Sequence, residues 1–106
     1  MKHILLINPY IYDFAAYDFW LKPLGLLIIA RLLKNYGFTI SLIDCLDRSE
    51  YHYEKEYRTL YNNSGKFKKI EVSKPECLKF INRKFYRYGI TLEEFEKKLQ
   101  NTYPKP

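Results

Sequence analysis

The side chains able to do chemistry in this chain are few and scattered. There are two cysteines, Cys45 and Cys77, standing 32 positions apart, and two histidines, His3 and His52. No CxxC pair and no Cys/His cluster occurs, so neither a zinc site nor a disulfide framework is indicated. Neither histidine stands in a recognisable Ser/His/Asp or Cys/His arrangement, and nothing near either cysteine in sequence marks a low-pKa thiolate. Glu93, Glu94 and Glu96 open a helical stretch, where they favour the helix dipole. No catalytic residue and no metal ligand is therefore assigned. Asp44 ends a strand-like segment, the place where a dinucleotide-binding fold puts its ribose-binding acid. The turn after the first strand-like segment, Asn8-Pro9-Tyr10-Ile11-Tyr12, holds neither GxGxxG nor GxxxxGK[ST], so a dinucleotide or P-loop site is not indicated. Asp44 then reads as a polar strand-end residue.

Residues 10–22 are the unusual stretch. They hold Tyr10, Tyr12, Phe14, Tyr17, Phe19 and Trp20, interleaved with Asp13, Asp18 and Lys22. Rings suit the flat face of a cofactor, and the charged groups suit its polar substituents. Two readings stand: a wall or lid of a ligand pocket, or an aromatic plug over the end of a sheet.

The elements that must position this loop read clearly. His3-Ile-Leu-Leu-Ile7 is a short, continuous apolar run stopped by Asn8-Pro9, as expected of a strand buried on both faces. Pro23 suits the first residue of a helix, which the apolar spacing of Leu24, Leu27, Ile28 and Leu32 extends to about Tyr36. Gly37 suits a left-handed helix cap. Residues 38–43 alternate and are rich in β-branched or aromatic types, so they read as a second strand ending at Asp44. Strand, loop, helix, glycine turn and strand make a β-α-β unit with parallel strands. The fold class expected is α/β, a partial Rossmann-like unit followed by C-terminal helices. The loop leaves the carboxyl end of the first strand, the side on which open parallel sheets bind ligands.

Residues 1–47 thus form one part, and residues 48–106 a basic, tyrosine-rich, mostly helical extension of the same domain. Residues 1–47 hold four bases and four acids, so the net charge of +6 lies wholly in residues 48–106. Residues 66–87 alone carry eight bases against Glu71 and Glu76. Such a patch attracts phosphate, nucleic acid or an acidic partner. It is equally read as a solvated face of snorkelling Lys and Arg. No nucleic-acid-binding signature supports that partner. Lys66 to Val72 reads as a short, charged extended segment, Pro75 to Tyr86 as a helix, and Thr91 with Glu94 has capping-box spacing ahead of another. No third strand stands out, and a two-stranded parallel sheet wants more cover than this, so the chain reads as a piece of something larger. Low cysteine use fits a reducing cytoplasm. The longest apolar run, Pro23 to Ala30, is far below the roughly 20 residues of a membrane span.

The residues also resemble a family. Ile4-Leu5-Leu6-Ile7-Asn8-Pro9 and the run Tyr12 to Leu27 are similar to the N-terminal region of radical SAM proteins that carry a cobalamin (B12)-binding-like domain. Leu42 to Arg48, Lys74-Pro75-Glu76, Arg87 to Ile90 and the closing Pro-Lys-Pro share the likeness. It implies a Rossmann-like domain ahead of a barrel holding a [4Fe-4S] cluster and S-adenosylmethionine. The cluster-binding CxxxCxxC triad and the cobalamin-ligating DxHxxG motif are absent from this chain, and Tyr10 stands where the usual Asn-Pro-Pro turn has its second proline. The expectation is a cytoplasmic fragment that is not catalytic alone and holds no cofactor by itself. Its partner would be the rest of the parent enzyme, further strands and the radical SAM barrel. Residues expected to face a cofactor are Asn8, Pro9, Tyr12, Asp13, Tyr17, Asp18, Trp20 and Lys22. The alternative is a free-standing binding or adaptor domain that uses the basic, tyrosine-rich surface.

Overall fold

The computed structural model describes residues 2–19, 22–49 and 64–102. Two compact units make up the chain: Met1–Pro9 with Lys22–Cys45 and Thr91–Pro106, and Tyr10–Leu21 with Leu46–Ile90. Each unit is built from segments that alternate along the chain.

The first unit contains β1 (His3–Asn8), α1 (Leu24–Asn35), β3 (Thr39–Asp44) and α2 (Leu92–Gln100). β1 and β3 pair in parallel, in register from His3 opposite Thr39 to Asn8 opposite Asp44. The chain is thus mixed α/β with the parallel pair expected from the two apolar runs. α1 starts directly after Pro23, whose carbonyl accepts from Leu27 N–H at 3.0 Å. It ends in a Schellman motif: Gly37 N–H donates to Lys34 O at 3.0 Å and Phe38 N–H to Leu33 O at 3.1 Å. Gly37 has φ +92°, a conformation that glycine adopts at little cost. α1 packs on both strands and α2 packs on β3. No residue of α1 is buried. Leu26, Ala30 and Leu33 are half-buried, while Leu24, Leu27, Ile28 and Leu32 form an exposed apolar stripe at helical spacing. Thr91 caps α2, its hydroxyl accepting from Glu94 N–H at 3.1 Å.

The second unit holds β2 (Ile11–Asp13), β4 (Lys69–Val72) and β5 (Phe85–Tyr88), an antiparallel sheet in the order β2-β5-β4. Ile11 and Lys69 both pair with Tyr88 from opposite sides, and Asp13 and Glu71 both pair with Tyr86. Phe67, Phe85, Tyr88 and Ile90 are buried. Phe14 meets Phe85 edge-on at 5.1 Å between ring centroids.

Two expectations are corrected here. The helix expected over Pro75 to Tyr86 is a single 3-10 turn at Glu76–Leu78, followed by β5. Lys74 Nζ donates to Ile81 O at 2.6 Å and takes a carbonyl that a continuing helix would have used. The aromatic run Phe85-Tyr86-Arg87-Tyr88 suits a pleated surface, and it gains two strand partners. Residues 48–106 are accordingly not mostly helical among those described. The extended segment expected over Lys66 to Val72 contains β4, and the expectation of no third convincing strand is overturned by β2, β4 and β5.

Candidate functional site

The carboxyl ends of the parallel strands bring Asn8 and Asp44 side by side, as their register requires. Asn8 Nδ2 donates to Asp44 Oδ1 at 2.8 Å, and Cys45 N–H continues the ladder to Asn8 O at 2.9 Å. Cys45 is only 1% exposed. Burial pushes its thiol above the ordinary 9.0, the Asp44 charge adds to this, and Lys98 opposes it. A buried thiol held protonated packs well and makes a poor nucleophile. Pro9 and Lys22 in this unit are exposed.

In the second unit the aromatic loop is fixed at both ends of its turn. Asp13 Oδ1 accepts from Phe14 N–H at 2.6 Å. Asp18 forms a two-way backbone bridge with Gly65, each N–H donating to the other's carbonyl at 2.9 Å. The Asp18 carboxylate accepts from Arg48 Nε at 2.7 Å, with both side chains 8% exposed. Burying two charges is tolerable when they are paired at this distance. Tyr17 lies 5.0 Å from Phe19, ring to ring, and both are exposed. Tyr12 is exposed on β2.

Against this loop lies a cavity of about 240 Å³, lined by residues 14–17 together with Lys66, Phe67, Lys69 and Tyr88. Tyr88 Oη donates to Phe14 O at 3.2 Å, tying loop to sheet. Burial raises the Tyr88 hydroxyl above its ordinary 10.0, with smaller contributions from Tyr86 and Asp13. Cations lie over rings around the sheet: Lys69 Nζ is 4.3 Å from the Tyr86 centroid, and the Arg87 guanidinium is 5.4 Å from that of Tyr10.

Of the eight residues expected at a cofactor, Asn8, Pro9 and Lys22 belong to the first unit, and Tyr12, Asp13, Tyr17 and Asp18 to the second. Trp20 lies outside the described residues. Asp18 is spent on Arg48 and Asp13 on its own turn. Lys66 and Lys69 belong to the basic stretch 66–87 that the sequence singled out, whereas Arg48, Phe67 and Tyr88 were not expected at a site. Arg48 is 30 positions from Asp18 and carries no local signature. The β-propensity of Phe85 to Tyr88 was the signal that could have placed Tyr88.

Among the described residues no three His, Cys, Asp or Glu side chains gather as a metal site. A site-differentiated [4Fe-4S] cluster takes three thiolates, and the chain has two cysteines, one buried and one exposed, so the cluster does not fit. His3 stands at the amino end of β1, and His52 lies outside the described residues. No helix among the described residues is long and apolar enough to cross a membrane. Comparisons with protein-family models, curated proteins and solved structures gave no match.

Proposed function

We propose that this chain is the N-terminal, cobalamin-binding-like region of a radical SAM enzyme and is not catalytic alone. The observation that carries the reading is the parallel β1-α1-β3 unit. Its strand ends, Asn8 and Asp44, are paired in register and hydrogen-bonded at 2.8 Å, and in an open parallel sheet of that kind ligands bind beyond such carboxyl ends. The exposed apolar stripe of α1 supports it too, since a helix of a complete doubly wound domain covers such a stripe. In this reading the cluster and S-adenosylmethionine belong to the barrel of the parent enzyme, and the chain contributes architecture and part of a pocket wall. The setting is cytoplasmic, and the partner is the remainder of that enzyme.

The test is anaerobic reconstitution with iron and sulfide of two proteins, this 106-residue chain and the full product of its gene. The reading expects the visible charge-transfer band of a cluster in the full product and none in the short chain. A full product with no cluster would overturn it.

One observation favours a second reading, a free-standing binding module: the antiparallel sheet carries cations stacked on tyrosines, a surface suited to an acidic partner. A gene product ending at Pro106 and folding as a stable monomer would favour this module.

A further inference from the structure

The cavity beside the aromatic loop has a composition that selects its ligand. Phe67 and Tyr88, both buried, line it together with the half-buried Phe14 and the more exposed Tyr17. Lys66 and Lys69 complete the lining, and both are exposed. Among the described residues neither lysine is in a salt bridge. Lys69 rests on the Tyr86 ring instead, a contact weaker than one with an anion. The charge balance is local as well as global: residues 66–69 read Lys-Phe-Lys-Lys, with no acid among them. Aromatic walls accept the face or edge of a ring, and paired ammonium groups accept phosphate or carboxylate as point charges. The volume of about 240 Å³ falls below the range for drug-sized ligands and suits a single ring.

We propose that this cavity binds a small aromatic anion, one ring bearing a phosphate or a carboxylate, with the ring against Tyr17 and Phe67 and the anion held by Lys66 and Lys69. The site goes beyond the family reading and stands without it, since of the residues named there it uses Tyr17 alone. Salt should weaken binding, because both lysines face solvent.

The experiment titrates the full chain with phenyl phosphate and with benzoate, followed by calorimetry and by amide NMR shifts of residues 64–69. Inorganic phosphate and phenol serve as the two half-ligands. Saturable one-site binding of at least one aromatic anion is expected, on the order of tenfold tighter than either half-ligand. The arm that binds tighter identifies the anion as phosphate or carboxylate. Lys66→Gln with Lys69→Gln should weaken binding by a similar factor with an unchanged circular dichroism spectrum, and Tyr17→Ala should weaken the aromatic anions while leaving inorganic phosphate unaffected. The proposal is overturned if both aromatic anions bind no better than the half-ligands, or if binding survives the double lysine substitution.

Discussion

At the scale of single residues, the strongest structural commitment is the Asp18–Arg48 pair. Removing one member breaks a 2.7 Å ion pair between side chains that are each 8% exposed, and breaking a buried pair costs about 3–5 kcal/mol. Asp18→Ala should therefore cause a large fall in the urea midpoint. The double variant Asp18→Leu with Arg48→Met should recover a good part of that loss, because an apolar pair removes both charges from the interior. Equal destabilisation by the single and double variants would argue against the pair's role. Alkaline pH supplies a second prediction. Cys45 and Tyr88 both have folded values raised above their ordinary 9.0 and 10.0. The folded state then holds these protons more tightly than the unfolded chain does. The stability they confer is complete below the ordinary values and lost as pH rises through the folded ones. The urea midpoint should fall from about pH 9 upward, and Cys45→Ala should remove the earlier part of that fall while leaving the part due to Tyr88. A midpoint flat to about pH 11 would contradict both.

At the scale of elements, what could be read from the sequence followed the punctuation. Pro23 and Gly37 bracket α1 within two residues of its observed ends, and Thr91 opens α2. The parallel pair was legible because each strand is a six-residue apolar or alternating run. Of the antiparallel sheet only the extended stretch around β4 was. β2 has three residues and β4 and β5 four each, too short for a period to declare itself, and β2 pairs with β5 across more than seventy positions. The same distance hid the cavity, because its walls come from the loop, the approach to β4 and the end of β5. The caps are directly testable. Gly37→Ala meets no atom within 4 Å, so its cost is backbone strain at φ +92°, roughly 1–2 kcal/mol. Thr91→Ala loses the bond to Glu94 N–H and should cost about 1 kcal/mol. Both are measured by urea denaturation, and a neutral Gly37→Ala would mean that the turn rearranges.

At the scale of the whole molecule, the first unit leaves an apolar stripe uncovered on α1. Leu24 is 68% exposed and Ile28 and Leu32 are each 53% exposed. Neither β1 nor β3 has a second strand partner among the described residues. Uncovered stripes and open edges recruit other chains. The isolated chain should self-associate, with a sedimentation coefficient that rises with concentration. Leu24→Glu with Ile28→Lys should return it to a monomer, at a stability change within about 0.5 kcal/mol, since both positions face solvent. A wild-type chain that stays monomeric at every concentration would show that the stripe needs no cover. In the proposed reading, the stripe is a surface covered by the rest of a radical SAM enzyme. That claim is tested most directly by sequencing the reading frame beyond the codon for Pro106. The account predicts an in-frame continuation through further strand and helix patterns to a CxxxCxxC triad. A stop codon directly after Pro106, or a continuation without the triad, would contradict it.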